Sequence, residues 1–296
     1  MTGPMVSSTD AFPLPGLTPR NSRRRAIYFK LLLYASAILA VIVTVFPLFW
    51  MMKVALNQQI DALAMPPIWL THYGLDNFIS VWNSRNFVFS LKNSLIVASI
   101  ALALSIGISL PAAYAFSRYR FRFSGLLLLV ILCTRLFPPV TLIIPFFLNF
   151  RLLGLTDTHF GLACAYIAMN VPLAIWMLKG YLDTIPTDLE YAAMVDGASR
   201  FKAATLITVP LLAPGIVVTS IFVAILSWNE FLFAMVLTGR NTRTLTINIA
   251  EFVGDTGIDW PEIMAASMIA LLPVLIFTFL MQKHLASGLT GGALKG

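Results

Sequence analysis

Long apolar runs separated by shorter polar segments dominate the chain, and these runs predict its architecture. Six stretches, Leu31–Met52, Ser94–Ser117, Ser124–Phe150, His159–Leu178, Leu211–Thr238 and Ile263–Met281, reach the ~20 residues that an α-helix needs to cross the hydrocarbon core of a bilayer. Strands of a membrane barrel alternate faces over about ten residues, so continuous runs of this kind exclude a barrel. Unpaired backbone groups are too costly in lipid, so each span must close its hydrogen bonds within itself or against protein neighbours. The pattern predicts an all-α integral membrane protein with six transmembrane helices and leaves the connecting segments for function. Only the third and fifth spans carry a charge, Arg135 and Glu230 respectively.

Composition agrees with this reading. Charged residues make up 11% of the chain and hydrophobic ones 58%, whereas a soluble domain carries roughly 25% charge. The net charge of +7 is explained by topology. Arg20, Arg23, Arg24, Arg25 and Lys30 precede the first span; Arg118, Arg120 and Arg122 follow the second; Lys179, Arg200 and Lys202 follow the fourth; Lys283 and Lys295 lie in the tail. Only Lys53, Arg85, Lys92, Arg151, Arg240 and Arg243 fall on the other side. The positive-inside rule then places both termini in the cytoplasm. A nucleic-acid partner would require the basic residues on one folded surface with interleaved aromatics, which this distribution lacks.

The first apolar run is too long for a secretory signal core, and Ala62-Leu63-Ala64 lies too far beyond it to serve as its cleavage site. Cys133 and Cys164 fall within spans, away from any CxxC or histidine spacing, and read as small apolar residues.

Residues 1–26 combine Pro, Ser, Thr, Gly and Arg with little periodicity and predict a flexible cytoplasmic tail. In the outer segment Lys53–Asn93, "LDNFISVWNSRNF" has the aromatic content of an interfacial helix or of a surface for an outside partner. The segment from Asn241 to Pro261 is polar and acidic, carrying Glu251, Asp255 and Asp259, and suits a short loop or a re-entrant contact. Prolines 111, 138, 139, 145, 172, 214 and 273 fall within the spans; each removes a helical hydrogen bond and bends or interrupts its helix. No GxxxxGK[ST], GxGxxG or HExxH pattern occurs, so this chain carries no recognisable machinery for nucleotide hydrolysis or metal-dependent chemistry.

One inner connection, "TIPTDLEYAAMVDGASRFKAA" (184–204), is too structured for a bare loop. Thr187-Asp188-Leu189-Glu190 has the form of a capping box, in which the Thr187 hydroxyl and the Glu190 carboxylate would satisfy amides reciprocally. A helix is expected from Asp188 to Asp196, with acidic residues in its first turn and Gly197 at the left-handed closing position. A helix this short is marginal alone. Leu189, Ala192, Ala193 and Asp196 recur at helical spacing and form a face of mostly small residues. That face either packs under the chain's own membrane helices or receives a second protein.

The stretch "EYAAMVDGASRFKAATLITVPLLAP" resembles the coupling-loop signature of the permease subunits of ATP-binding-cassette importers: EAA, three residues, Gly, nine residues, then Ile-x-Leu-Pro. Ala192, Ala193, Asp196, Gly197, Ile207 and Pro210 match. Tyr191 stands in the place of the signature Glu, with Glu190 one residue earlier, and Val209 replaces the signature Leu. "FPPVTLIIPFFLNFRLLGLTDTHFGL", "SWNEFLFAMVLT" and "GLTGGALKG" resemble the carbohydrate-uptake branch, in particular its shorter, maltose-type G subunit, and the similarity extends over nearly all of the chain after residue 26.

The resemblance implies a type I importer permease (MetI-like) fold of six helices in a bacterial inner membrane, with a coupling helix at about 187–203. It implies a second, related permease, two cytoplasmic ATPases that hold the ATP and Mg, an extracytoplasmic solute-binding protein and a carbohydrate cargo. Glu190, Tyr191, Ala192, Ala193, Asp196, Gly197 and Phe201 become the expected ATPase-coupling residues. For the cargo path, Trp228, Asn229 and Glu230 could offer a sugar an aromatic face and hydrogen-bond acceptors, or Glu230 could seal a gate or pair with the other permease. Arg135, next to Pro138-Pro139, is expected either at a helix break on the path or in an interior ion pair.

Two rivals stand beside this reading. An ion-gradient-driven secondary transporter or channel favours intramembrane carboxylates and histidines as relays, and Glu230 is the one carboxylate within the spans. A membrane enzyme needs a nucleophile–base or metal-ligand set, and the spans hold none.

Overall fold

A computed structural model describes residues 19–293 except 63, 67, 70–72, 120, 255 and 256, and gives no side-chain placement for 19–26, 85, 254, 257 and 281–293. Residues 1–18 of the expected tail lie outside the described residues. The helices in chain order are α1 (Pro19–Ala55), α2 (Gln59–Ala62), α3 (Asp76–Asn83), α4 (Arg85–Arg118), α5 (Ser124–Cys133), α6 (Pro139–Leu152), α7 (His159–Leu182), α8 (Asp188–Val195), α9 (Arg200–Ala203), α10 (Val209–Leu211), α11 (Ala213–Trp228), α12 (Leu232–Leu237), α13 (Leu245–Ala250) and α14 (Trp260–Ala293). A 3-10 turn, Thr134–Leu136, ends α5, and a π-helical turn, Ala204–Thr208, joins α9 to α10. The strand pair Val253–Gly254 and Gly257–Ile258 is antiparallel.

The chain divides into two compact units, Met1–Lys53 and Val54–Gly296. The first contains most of α1, whose stretch Ile27–Ala55 has a mean hydropathy of 2.5 and exposes every side chain from 27 to 47. That surface suits lipid or membrane-embedded protein.

In the second unit α4, α7 and α14 are long and apolar enough to span a membrane, and with α1 and two bent pairs the described residues hold up to six spans. Proline explains the bends. The third expected span is not straight: Ser124–Leu136 meets Pro139–Leu152 at 94°, where Pro138 and Pro139 lack the amides that would continue the ladder. The fifth is formed by Arg200–Leu211 and Ala213–Trp228, bent by 70°, with Pro214 at the start of the second segment.

The expected run Leu211–Thr238 is wrong at its outer end. The helix stops at Trp228, and a separate turn, α12, starts at Leu232. The Glu230 carboxylate accepts from the amides of Phe233 (2.9 Å) and Ala234 (3.1 Å), satisfying the orphan donors of a new helix. Hydropathy alone could not register that a single acidic side chain would start a second helix inside an apolar run.

The core is built on α4 and α7. Fully buried Ala101, Ala113, Ala163, Ala165 and Ala174 let the helix backbones approach closely, as in membrane bundles generally. One cluster joins Val97, Leu162 and Tyr166 to Phe233 and Leu237; a second joins Val81 and Phe87 to Leu245, Ala265 and Ala266; a third joins Ala113, Leu178, Leu182 and Leu212. Within the third region Gly215 faces Tyr181 so closely that an added Cβ would lie 2.6 Å from its ring. The stretch "LDNFISVWNSRNF" supplies α3 and the start of α4, and α3 is tied to α14 by a bond from the Ser80 hydroxyl to Glu262 (2.5 Å).

At the far end of α7 from α8, Asp157 has a left-handed φ of 55°, and its carboxylate accepts from the amides of Gly239, Asn241 and Thr242 and from the Thr242 hydroxyl (2.8 Å). Burial acts to raise this carboxyl, but those hydrogen bonds win and hold it below its usual range. The clamp fixes the chain between α12 and α13 against the start of α7.

Candidate functional site

The expected inner helix is present as α8, and Gly197 closes it. With φ at +91°, Gly197 donates its amide to Met194 O (3.1 Å), and Ala198 donates to Ala193 O (2.9 Å). This is the Schellman pattern that satisfies carbonyls at a helix end. Asp188 and Glu190 lie in the first turn, where the helix dipole favours negative charge.

The capping box does not form. Thr187 makes no side-chain cap bond, because Glu190 turns inward to a stronger set of donors. Its Oε2 accepts from the Tyr114 hydroxyl (2.6 Å), and its Oε1 accepts from Arg118 Nε (2.7 Å) and the Thr208 hydroxyl (2.7 Å). Arg118 also donates through Nη2 to Ile185 O (3.0 Å). The Arg118 and Glu190 side chains are 7% and 9% exposed. One carboxylate thus joins the last turn of α4, the connection before α8, α8 itself and the π-helical turn that leads into α10.

Burial acts to raise the Glu190 carboxyl; the bonds from Tyr114, Thr208 and Arg118, together with the Arg118 charge, outweigh it and hold the group below the ordinary carboxylate range. Charge-assisted bonds of this kind are roughly twice as strong as neutral ones.

With Glu190 facing inward, α8 presents another face outward. Leu189, Tyr191, Ala192, Val195 and Asp196 are exposed, Ala193 is half-buried, and Val195 reaches 87% exposure. Beyond Gly197, Ser199 caps α9 by accepting from the Lys202 amide (3.3 Å), Arg200 lies over the Tyr119 ring at 5.9 Å, and Phe201 and Leu206 are 77% and 70% exposed. The expected coupling residues are therefore brought together, except that Glu190 acts as a positioning residue from the inside. Arg118, Tyr114 and Thr208 were missed. Thr208 occupies the x of Ile-x-Leu-Pro, 18 residues from Glu190, and Tyr114 and Arg118 are one turn apart at the C-terminal end of α4, 76 and 72 residues from it; neither signal names Glu190 as the partner.

The expected cargo residues do not converge. Trp228 donates from its indole to Ala270 O (3.2 Å) and packs with the second core cluster. Asn229 folds back to Ile225 O (2.9 Å), and Glu230 is engaged by α12. Arg135 lies elsewhere, donating to Met169 O (2.8 Å) in the middle of α7. Cys133 and Cys164 are free thiols.

Up to six apolar crossings among the described residues, two of them broken, and a short helix anchored on one face and exposed on the other define a multi-span membrane protein. Residues 103–291 match the model of the family described as binding-protein-dependent transport system inner membrane component, and the chain belongs to that family. It is a permease subunit of an ATP-binding-cassette importer, in which hydrolysis belongs to other subunits. It is 39% identical over 279 residues to the trehalose/maltose transport system permease protein MalG of Thermococcus litoralis, covering 92% of this chain and 99% of that protein. It is 34% identical over 269 residues to the sulfoquinovosyl glycerol transport system permease protein SmoH of Agrobacterium fabrum, covering 90% and 94%. A chain from the crystal structure of a bacterial transporter that imports the acidic polysaccharide alginate shares the fold, with a TM-score of 0.71, 22% identity and coverage of 90% and 99%.

Proposed function

We propose that this chain forms, with a second permease, the path for a sugar or sugar derivative delivered by a solute-binding protein, and that α8 with α9 is the lever on which an ATPase subunit acts. Both termini then lie in the cytoplasm, as the basic residues argue, and ATP and Mg are held by the two ATPases. The observation that carries the reading is the two-sidedness of α8: Glu190 anchors it to α4 and the π-helical turn, while Leu189, Tyr191, Val195 and Phe201 remain exposed. A helix of eight residues held rigidly on one side and apolar on the other passes force from a docked partner into the fifth span, because the chain continues from it through α9 and the π-helical turn into α10 and α11. The carbohydrate cargo is supported by relatives named for trehalose, maltose and sulfoquinovosyl glycerol transport.

Affinity purification from membranes decides between this and an ion-gradient-driven transporter. The expected product holds this chain, a second permease and a pair of ATPases, with ATPase activity stimulated by the loaded binding protein. A chain that purifies alone and moves solute on a proton or sodium gradient would contradict it.

A further inference from the structure

Arg135 is a cation placed where a membrane protein rarely tolerates one. Its partner Met169 is near the midpoint of α7, about 15 Å along the helix from His159 at 1.5 Å per residue, and therefore deep in a core ~30 Å thick. The side chain is half-buried. Among the described residues its guanidinium makes one hydrogen bond, to the Met169 carbonyl, and the three ion pairs do not include it. Glu230, the other charge within the spans, is occupied by the Phe233 and Ala234 amides. Arg135 lines an open cleft of about 510 Å³ whose other walls include Ile108, Ile131, Leu142, Phe146 and Ile167. That cleft lies beside the 94° break between α5 and α6.

Resting on the permease reading above, we propose that this cleft is a cargo subsite and that Arg135 selects carbohydrates bearing an anionic group, a carboxylate or a sulfonate. The volume lies in the range that ordinary ligand sites occupy, ~300–1,000 Å³. Discontinuous helices commonly border transporter sites. A planar guanidinium fork matches a carboxylate or sulfonate through paired N–H bonds, and an anion supplies the counter-charge that no described residue supplies. The apolar walls complement the less polar faces of a sugar ring.

The test uses the complete permease–ATPase complex in lipid nanodiscs, titrated calorimetrically with a uronic-acid disaccharide and with the neutral disaccharide of the same linkage. Wild type is expected to bind the acidic sugar about tenfold or more tighter than the neutral one, as the loss of one charge-assisted contact implies. Arg135→Gln removes the preference and Arg135→Lys keeps most of it, while both variants retain their subunits on size exclusion. A wild-type complex that does not distinguish the two sugars overturns the proposal and leaves the permease reading standing. Loss of the second permease from the Arg135→Gln complex also overturns it, since Arg135 would then be paired with a carboxylate of that subunit. Failure of wild type to assemble with ATPases would instead count against the permease reading.

Discussion

At the scale of single residues, Glu190 carries the site. A carboxylate buried with one arginine, one tyrosine and one threonine is stable only while every partner is present, and breaking a buried pair by removing one member costs about 3–5 kcal/mol. Glu190→Gln is expected to lower the thermal midpoint of the purified complex and to uncouple ATP hydrolysis from uptake. Replacing both members, Glu190→Leu with Arg118→Met, should recover much of the stability without restoring uptake, because the link between α4 and α8 would remain cut; paired melting curves and uptake assays check this. The pH dependence has a defined sign. Because the folded Glu190 lies below its ordinary value of 4.5, its stabilisation is present above that pH and is lost as pH falls through the folded value. Acid unfolding curves should therefore be shallower for Glu190→Gln than for wild type below that pH, and the two should run parallel near neutrality.

At the scale of elements, the ends of α8 were legible because local chemistry sets them. Asp188 begins the helix, and Gly197 is one of the few residue types that accepts a φ of +91° without steric cost. The interior of the motif was not legible. Thr187-x-x-Glu190 satisfies the pattern of a capping box, but three donors from distant elements outbid the local amide. The same competition misled the reading of the fifth span, where Glu230 found the amides of α12 inside an apolar run. Pro138, Pro139 and Pro214 stand at the two breaks, whereas Pro111, Pro145, Pro172 and Pro273 lie inside continuous helices, so proline positions alone did not single out the breaks. Gly197→Val follows from this level. No atom lies within 4 Å of a Cβ there, so the cost is backbone strain of about 1–2 kcal/mol and falls on the turn between α8 and α9. The complex should assemble normally yet show reduced uptake per ATP hydrolysed, measured in proteoliposomes; undiminished coupling would refute a rigid turn at this point.

At the scale of the whole molecule, two broken spans serve different ends. The bend at Leu212 lies within the fifth span, between α10 and α11, where the π-helical turn and Pro214 interrupt the regular ladder; irregular turns of this type are common at functional sites. The bend at Phe137–Pro138 borders the Arg135 cleft. α8 is joined to α11 through α9, α10 and the first break, and to α4 through the Glu190 anchor; α4 packs along the length of α7, whose Met169 carbonyl accepts from Arg135. The central claim is that the outward face of α8 is gripped by a motor subunit. Its most direct measurement is cysteine crosslinking in the assembled complex, with Ala192→Cys introduced into a background carrying Cys133→Ala and Cys164→Ala. The account predicts a covalent adduct between this chain and an ATPase subunit, with a yield that changes between ADP-bound and ATP-bound states. An Ala192→Cys thiol that forms no ATPase adduct in either state, while reacting fully with a water-soluble maleimide in the intact complex, would contradict it.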